Sequence, residues 1–425
     1  MPIRRCCEIL DISPATFYHK VDWLYEQALG FVQERERKLI EKCNAERLYL
    51  STDRQVQVST WISREDKRNT EFLALGTADN NSSYVFGWHF NFDPSLNAQA
   101  VERETILLND YKNQTPFRKH ARLWLERDYQ DAMSRSARKQ RSQGSLEGEI
   151  EEKYLIESDR EHVESSEIID GTVKPPANGM LVHSEYTMYS HFLLLNDLLR
   201  NVEKVRFSLD QETGIKNSFM TAFKQRIQSG TADAFYVKAT KDLTVDQKRI
   251  LIRESHRKVK EKLGLNYTSL SYAEKQAAIQ SLIIEEMELM KRCNHGKELW
   301  LKYPFATKSE PEKMVAALTN ILRYTIDHQV NLYKRASLHG IDRFFMQARR
   351  RVNILERPFS TGANSRRVWY GYSVYNPSML IKVSELFRLF YNYIHNDTED
   401  KQTPAMRLGL AKGKVSFEKI IYFDR

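Results

Sequence analysis

The sequence predicts an α/β protein whose mixed sheet core is interrupted by helical insertions and preceded by an all-α helix-turn-helix region. Three observations predict this class. Short runs rich in β-branched and aromatic residues cluster within residues 48–92. Two further runs, residues 205–210 and 234–239, flank a helical segment in the strand–helix–strand order that parallel sheets require. The long stretches between these runs are charged and helical in pattern.

The bulk composition is that of a globular protein with a basic surface. The chain has 425 residues, enough for two or three domains, with 41% hydrophobic and 28% charged residues. The formal net charge of +9 favours a polyanionic partner, although a basic solvated surface accounts for the charge equally well. No apolar run is long enough to span a bilayer, so we expect no membrane partner and a cytoplasmic location.

Cysteine usage excludes two classes of small stabilised domain. The four cysteines are Cys6, Cys7, Cys43 and Cys293, and none of them forms a CxxC pair. The spacing gives neither a disulfide framework nor a zinc ribbon, and it suits a reducing compartment.

The N-terminal region, residues 1–46, has the pattern of a helix-turn-helix with a connecting helix. A short amphipathic helix ends at Asp11, Ser13 can cap the next helix, and Pro14 occupies its first position. In a helix-turn-helix this second helix enters the major groove of DNA, whereas an ordinary helical hairpin is the alternative. The polar side chains that it exposes, and that we predict to contact DNA, are Thr16, His19 and Lys20.

The remaining residues, 47–425, are predicted to form one catalytic domain. Its leading strands are expected at residues 48–52, 56–61, 71–78 and 84–90, with a hairpin turn at residues 79–83. Helical insertions are expected at about residues 95–200 and 243–325. Within the first of them, the polar run 134–167 has the composition of a solvated loop.

Three aspartates stand where the predicted elements can bring them together. Asp53 and Asp210 each follow a buried strand, and Asp342 lies at the start of a helix. Two strand-borne carboxylates and one helical carboxylate on a basic chain suit two-metal phosphoryl transfer on nucleic acid. Their hard oxygen ligands select Mg²⁺ or Mn²⁺, with Asp53 bridging two ions, Asp210 on one and Asp342 on the other.

The helix that carries Asp342 also carries a basic cluster. Arg349 follows Asp342 by two helical turns on one face, so the acid can bind a cation while the arginine meets a phosphate. The cluster that we predict to bind nucleic acid is Arg349, Arg350 and Arg351. Glu356 is the rival third acid, but its arginine-rich neighbourhood favours a structural ion pair.

Several blocks of the chain resemble the DDE/DDD transposases of bacterial insertion sequences, which share an RNase H-like fold. The resemblance covers most of the chain in order, through short blocks and the helix-turn-helix pattern around Ser13. The sequence departs from that family in lacking an N-terminal zinc ribbon. The blocks are Ser-Thr-Asp53-Arg-Gln, Ser-Leu-Asp210-Gln, Arg349-Arg-Arg with Leu-Glu356-Arg-Pro358, Trp369-Tyr-Gly-Tyr-Ser-Val-Tyr375-Asn376-Pro377 and Thr403-Pro-Ala-Met-Arg407-Leu-Gly-Leu410.

The resemblance implies metal-dependent cleavage and strand transfer at the ends of a transposon. It implies double-stranded DNA as partner, a homodimer or higher assembly on that DNA, and association with a bacterial nucleoid. Two alternatives share the same residues. One is a domesticated or inactive relative that only binds DNA, and the other is an RNase H-like nuclease that acts in defence.

Overall fold

The computed structural model describes most of the chain. The described residues are 3–42, 46–60, 65–66, 68–135, 146–158, 169, 173–240, 243–264, 266–293, 296–356, 359–360, 368–369, 373–396 and 399–423. Parts of two blocks quoted above, residues 357–358 and 370–372, lie outside these ranges.

A mixed sheet forms the centre of the described structure. Its eight strands follow the order β3-β2-β1-β6-β7-β10-β9-β8. Two small two-stranded sheets, β4-β5 and β11-β12, complete the strands among the described residues. The strands are β1 Arg47–Ser59, β2 Thr70–Asp79, β3 Val85–Phe90, β4 Phe92–Asp93, β5 Met180–Leu181, β6 Lys204–Asp210, β7 Ala232–Ala239, β8 Lys291–Arg292, β9 Leu299–Lys302, β10 Lys313–Ala317, β11 Phe359–Ser360 and β12 Val368–Trp369.

Strand β1 separates an antiparallel part of the sheet from a parallel part. It pairs with β2 in antiparallel and with β6 in parallel, and β6 pairs with β7 in parallel. The runs 48–52 and 56–61, predicted as separate strands, belong mostly to the single strand β1, because β2 pairs with it continuously from Leu50 to Ser59. The hairpin turn predicted between β2 and β3 is confirmed.

Helices cover both faces of the sheet, so the predicted α/β class with a mixed sheet is confirmed. The α-helices of the described residues are α1 Ile3–Leu10, α2 Pro14–Lys42, α3 Ala98–Leu107, α4 Glu126–Arg135, α5 Leu146–Ser158, α6 Ser184–Leu198, α7 Thr213–Ala222, α8 Lys224–Gln228, α9 Val245–Leu263, α10 Tyr272–Glu288, α11 Ile326–Arg335, α12 His339–Arg351, α13 Ser378–Leu389, α14 Pro404–Arg407 and α15 Phe417–Ile421. A single π-helical turn, Phe390–Ile394, extends α13.

Two local predictions are wrong. The insertion 243–325 is not wholly helical, since β9 and β10 extend the main sheet beyond β7. Lysine, methionine, alanine and leucine dominate these short strands and favour helices in isolation, so sheet pairing overrides their propensity. Within the polar run 134–167, residues 146–158 form helix α5 rather than a loop. Residues 136–145 and 159–168 lie outside the described ranges.

The two faces of the sheet bury different hydrophobic clusters. On one face, Leu48 and Leu50 of β1 pack in a cluster with residues of α2, α6 and α7. On the other face, β2 and β3 pack against α12 and α13 through Trp88, Phe344 and Phe387. Strand alternation therefore assigns the even-numbered residues at the start of β1 to the α6 face and leaves Ser51 and the odd-numbered residues on the α12 face.

The long N-terminal helix α2 is packed into this core. Phe31, Val32 and Leu39 are buried in the cluster on the α6 face. The Glu36 carboxylate forms an ion pair with the Arg388 guanidinium of α13, and 2.8 Å separates the nitrogen from the oxygen. Burial raises the pKa of Glu36 above its usual value, although Arg388 opposes the shift. The helix that follows the predicted helix-turn-helix is thus anchored to the sheet rather than held on a separate unit.

Candidate functional site

Asp53 and Asp210 lie side by side at the centre of the sheet. The parallel ladder between β1 and β6 pairs Ser51 with Ser208 and Thr52 with Leu209. Asp53 directly follows Thr52, and Asp210 directly follows Leu209. The two aspartates therefore lie opposite each other on the neighbouring strands β1 and β6. Neighbouring strands are about 4.8 Å apart, which places the two aspartate backbones within that order of distance.

Both aspartates point to the α12 face. Asp53 follows Ser51 by two residues and Asp210 follows Ser208 by two residues, and residues two apart on a strand share a face. Both serines contact the segment that begins α12: the Ile341 N–H donates to Ser51 Oγ at 3.0 Å, and the Ser337 N–H donates to Ser208 Oγ at 3.0 Å. The Ser-x-Asp step therefore occurs twice, with the serine docking the helix and the aspartate facing the same side.

Further contacts fix the beginning of α12. Asn80, in the turn after β2, accepts from the Gly340 N–H at 3.1 Å and donates to the Ser337 carbonyl at 2.9 Å. Buried Glu310 accepts from the Leu338 N–H at 2.9 Å and from the Ser337 hydroxyl at 2.5 Å. These side chains bind N–H groups that a helix start leaves without intrahelical partners.

The carboxylate of Glu310 is held ionised in this position. Burial alone would raise its pKa, but the Lys313 ammonium at 3.1 Å and the hydrogen bonds from Ser337 and Leu338 lower the pKa below its usual value. The Lys313 ammonium also donates to the Ala336 carbonyl at 2.9 Å. A buried ion pair with every group hydrogen-bonded is rigid, so the start of α12 has a defined position on the sheet.

Asp342 lies in the first turn of α12, one residue after the contact between Ile341 and Ser51. Its helix crosses the sheet so closely that a Cβ at Gly76, the register partner of Asp53, would meet Ile341 Cδ1 at 2.7 Å. The third predicted acid is therefore carried on an element that is docked to the strands of the other two.

Glu356 lies elsewhere. It is exposed and follows the 3₁₀ turn Asn353–Leu355 beyond the last turn of α12. The thirteen residues of α12 span about 20 Å at 1.5 Å per residue, which separates Glu356 from the docked start of the helix. Of the two rivals for the third acid, Asp342 is the one that the structure places near Asp53 and Asp210.

An ion pair crosses the strand ends beside the aspartates. Arg54, the residue after Asp53, meets Glu212 at 2.8 Å between guanidinium and carboxylate. The Arg54 N–H also donates to Asp53 Oδ1 at 2.7 Å. These contacts tie the continuation of β1 to the turn that follows Asp210.

A buried polar chain lies beneath the site, on the α6 face of the sheet. The Thr52 and Thr77 hydroxyls are 2.7 Å apart, and Thr77 Oγ1 is 2.7 Å from His191 Nε2. His191 Nδ1 is in turn 2.8 Å from His89 Nδ1. Burial lowers the pKa of His89 from 6.5 to about 4, and burial together with His89 lowers the pKa of His191 well below its usual value. Both rings are therefore neutral at pH 7.

The donor set has the right chemistry for a hard divalent cation, but the side chains are not gathered around one. Asp53, Asp210 and Asp342 offer only carboxylate oxygens, the ligands that Mg²⁺ and Mn²⁺ prefer. In the part of the chain that the structure describes, no group of three or more histidine, cysteine, aspartate or glutamate side chains is close enough to hold a metal ion. The backbone brings the three acids to one region, and their carboxylates do not form a finished ligand shell.

The residues predicted to bind DNA are all accessible to solvent in part or in full. Thr16, His19 and Lys20 are exposed on the first turns of α2, and Ser13 Oγ accepts from the Thr16 N–H at 3.0 Å, which confirms the predicted cap. Arg349 is half-buried, and Arg350 and Arg351 are exposed in the last turn of α12. The predicted recognition helix is continuous with the anchored helix α2.

Sequence reasoning missed the residues that dock α12: Ser51, Ser208, Gly76, Asn80 and Glu310. Two of them, Ser51 and Ser208, had a usable signal, since the step Ser-x-Asp occurs on both strands, within β1 and at the end of β6. The residues beyond Asp53 carried a further signal, which concerns β1 rather than the docking of α12. Gln55, Gln57 and Ser59 alternate along the strand and keep one of its faces polar. Asn80 and Glu310 act through contacts distant in the chain, and no local pattern marks them.

No helix of the described residues combines the length and apolarity needed to cross a membrane. The chain matches no protein-family model, no curated protein and no solved structure. The function is therefore argued from the site itself.

Proposed function

We propose that the protein is a transposase-like enzyme of the DDE/DDD kind, which cleaves DNA and transfers strands with the help of divalent cations. The observation that carries this proposal is the level placement of Asp53 and Asp210 on adjacent parallel strands, with Asp342 on a helix docked to both strands. Acids that are 157 and 132 residues apart in the chain converge on one region. Such convergence is unusual for surface charges and typical of an active site.

The strand arrangement supports an RNase H-like core. On one side of β1 lies its antiparallel partner β2, which pairs in antiparallel with β3, and on the other side lie the parallel strands β6 and β7; β1 carries the first acid. An RNase H-like sheet has this arrangement. In a sheet with parallel strands, ligands bind at the carboxyl ends of those strands, which is where Asp210 lies.

The chemistry follows from the donor set. Asp53, Asp210 and Asp342 would hold Mg²⁺ or Mn²⁺, with Asp53 central because β1 both pairs with β6 and contacts the start of α12. The chemistry that such cations would supply is a lower pKa for an attacking water or 3′-hydroxyl and positive charge beside the leaving oxygen of the phosphate. The chain itself orients the carboxylates through the Ser51 and Ser208 contacts and supplies positive charge for the DNA backbone. In the assembled enzyme, two copies of the chain would act together on paired transposon ends.

The proposal predicts that Asp53→Asn and Asp210→Asn abolish Mg²⁺-dependent DNA cleavage, with a loss of at least about 10³-fold. The amide keeps the shape of the side chain but removes a charged metal ligand, so DNA binding should stay within about threefold. The assay incubates labelled supercoiled and linear DNA with Mg²⁺ and counts both cut and joined products.

Asp246→Asn is the matched control, since Asp246 is an exposed aspartate of α9. It should cleave as wild type does. Cleavage retained by Asp53→Asn would refute the assignment of the acids, and joined products separate a transposase from a nuclease that only cuts.

A DNA-binding relative without catalysis is the second candidate. It is favoured by the finding that no group of three metal-binding side chains is gathered in the described ranges. This candidate predicts DNA binding that does not respond to Mg²⁺, and no cleavage by wild type in the same assay.

A further inference from the structure

A positively charged surface lies at the amino ends of β1 and β6, on the α12 face of the sheet. Arg47 and Lys204 are register partners there, and Tyr49 and Arg206 are the next pair on the same face. They share the face of the two serines that dock α12, because those serines follow at steps of two residues. Arg47 precedes Asp53 by six residues, so about 20 Å of strand separates this surface from the proposed catalytic acids.

Helix α11 adds to this surface from above. Its residues His328 and Arg335 are two turns apart and therefore lie on one side of the helix. The guanidinium of Arg335, an exposed residue, lies 4.7 Å from the centre of the Tyr49 ring. The pKa of His328 is lowered by burial and then by three nearby cations of β1 and β6. The cations of the strands and of the helix thus surround one small region.

A buried carboxylate fixes two arginines of this region. Asp233 of β7 is the register partner of Arg206, and 3.1 Å separates the carboxylate from the guanidinium. Its other oxygen lies 2.6 Å from the guanidinium of Arg323, whose side chain is 32% exposed. The centre of the Tyr324 ring lies 5.6 Å from the first guanidinium and 4.9 Å from the second. One carboxylate between two guanidinium groups leaves a net positive charge.

Other acids do not balance this charge. Among the acids that the structure describes, none forms an ion pair with Arg47 or Arg335, and Glu203 reaches Lys204 at only 3.9 Å with both side chains partly exposed. Like charges held together repel each other and attract anions from solution. We call the five cations the amino-end patch: Arg47, Lys204, Arg206, Arg323 and Arg335.

We propose that the amino-end patch binds the phosphate backbone of double-stranded DNA, away from the proposed catalytic acids. The inference rests on the proposed function only in taking DNA as the partner. The patch crosses three neighbouring strands, β1, β6 and β7, so its cations spread over about 10 Å. One phosphate group cannot contact all of them, whereas successive phosphates of a DNA strand can. Such contacts carry no base information, so the patch binds DNA of any sequence.

The aromatic rings of the patch favour duplex over single-stranded DNA. Proteins that bind single strands offer open aromatic faces on which unpaired bases stack. Here Tyr49 lies against the guanidinium of Arg335, and Tyr324 lies against two further guanidinium groups. The rings position the cations, and the bases of a duplex need no such platform because they are already stacked.

The test compares Arg47→Ala/Lys204→Ala with Lys291→Ala/Arg292→Ala in the full chain. Each double variant removes one arginine and one lysine from a strand, and the control residues are exposed on β8, at the far edge of the main sheet. The two arginines bound to Asp233 are left intact. The Kd for a fluorescent random-sequence 30-bp duplex is measured by anisotropy in EDTA at several salt concentrations. The urea midpoint of unfolding is measured beside it.

We expect the patch variant to bind the duplex at least about fivefold more weakly at about 0.1 M salt. The slope of log Kd against log salt concentration should fall by about 1.8, at about 0.9 for each of two lost phosphate contacts. Its urea midpoint should equal or exceed that of wild type, because two mutually repelling charges are removed. The β8 variant should keep the wild-type Kd and slope.

Three results would overturn the inference. They are a wild-type chain that does not bind the duplex, a patch variant with the Kd and slope of the β8 variant, and weaker binding that only follows a lower urea midpoint. A site for a small anion is distinguished by calorimetry with inorganic phosphate. Phosphate bound by wild type but not by the patch variant, with equal DNA affinity, also rejects the DNA contact.

The proposed function is tested separately, by Mg²⁺-dependent cleavage at saturating DNA, where the patch variant should keep the wild-type rate. Cleavage by wild type, together with a patch variant that binds DNA like the β8 variant, refutes the patch alone. Weaker binding by the patch variant of a chain that never cleaves DNA supports the patch and refutes the catalytic proposal.

Discussion

Two histidines share one hydrogen bond beneath the strand that carries Asp53. The Nδ1 atoms of His89 and His191 are 2.8 Å apart, so one ring donates and the other accepts. If both Nδ1 atoms carried a proton, two N–H groups would face each other with no acceptor between them. This explains in structural terms why burial and the neighbouring ring keep the pKa of His191 low. We therefore expect this histidine pair to make the folded state sensitive to acid.

We predict that the free energy of unfolding decreases as the pH falls from 6.5 towards 4. The pKa of His89 is about 4 in the folded chain and 6.5 in the unfolded chain, so the unfolded state binds more protons in that window. The stabilisation is complete above pH 6.5 and lost by about pH 4, a change of roughly 3 kcal/mol at about 1.4 kcal/mol per unit. Urea unfolding at several pH values measures it.

The control for this prediction is the double variant His89→Gln/His191→Gln, which keeps hydrogen-bonding groups but cannot titrate. Carboxylates elsewhere titrate equally in both proteins, so the difference between the two pH profiles isolates the histidines. Parallel profiles between pH 6.5 and 4 would contradict the prediction.

At the scale of elements, the helix α12 is the part that decides the site. The residues at its start are hydrogen-bonded to Ser51 of β1, Ser208 of β6, and the loop residues Asn80 and Glu310. The side of α12 that carries Ile341 and Phe345 packs directly on β2. Gly76 permits this close approach, because a Cβ there would lie 2.7 Å from Ile341 and 3.1 Å from the Phe345 ring. The position of Asp342 therefore depends on a glycine that sits opposite Asp53.

Gly76→Ala should destabilise the fold by roughly 1–3 kcal/mol, the usual cost of overpacking a close-packed core. It should also lower DNA cleavage by more than the fraction of unfolded protein explains, because the added methyl group pushes α12 and Asp342 away from β1. Chemical unfolding and cleavage rates under folding conditions measure the two effects. Gly413→Ala is the matched control, since a Cβ at Gly413 meets nothing within 4 Å. Wild-type cleavage by Gly76→Ala would show that α12 does not position the third acid.

At the scale of the whole molecule, the net positive charge favours DNA binding, and the anchoring of α2 to the core would fix where the DNA lies. The chain carries a net charge of +9. Helix α2, which exposes Thr16, His19 and Lys20 near its start, is fixed to the core through the ion pair of Glu36 with Arg388. DNA held by the beginning of α2 would thus have a fixed relation to the sheet.

DNA affinity should fall at least about a thousandfold between 50 and 200 mM salt if six or more phosphates are neutralised. Replacing Arg349, Arg350 and Arg351 by alanine should reduce the slope of log Kd against log salt concentration by about 2–3, at about 0.9 per lost phosphate contact. Anisotropy titrations of a 30-bp duplex measure both slopes.

The matched control for the arginine variant is a triple alanine variant of exposed lysines near the C-terminus, Lys412, Lys414 and Lys419. These lie next to Val415 and Ile420, which pack on the α6 face, opposite α12. The control should keep the wild-type slope. Equal slopes for the arginine and lysine variants would show that the end of α12 does not contact DNA.

The sequence by itself determined the α/β class, the strand that ends on Asp210 and the cap of α2 by Ser13. These features depend on neighbours in the chain, through alternation and capping chemistry. It also marked Asp53, Asp210 and Asp342, because an aspartate after a buried strand or at a helix start is a local pattern.

Only the tertiary structure decided how these residues meet. Strands β9 and β10 join the sheet through pairing that their own propensities do not favour, and β1 is one long strand because β2 pairs with it from Leu50 to Ser59. The level register of Asp53 with Asp210 and the docking of α12 by Asn80 depend on hydrogen bonds between residues more than 150 positions apart, and Glu310 binds the start of α12 from 28 positions away. Contacts of that separation leave no periodic trace in a sequence, since either partner alone looks like an ordinary polar residue.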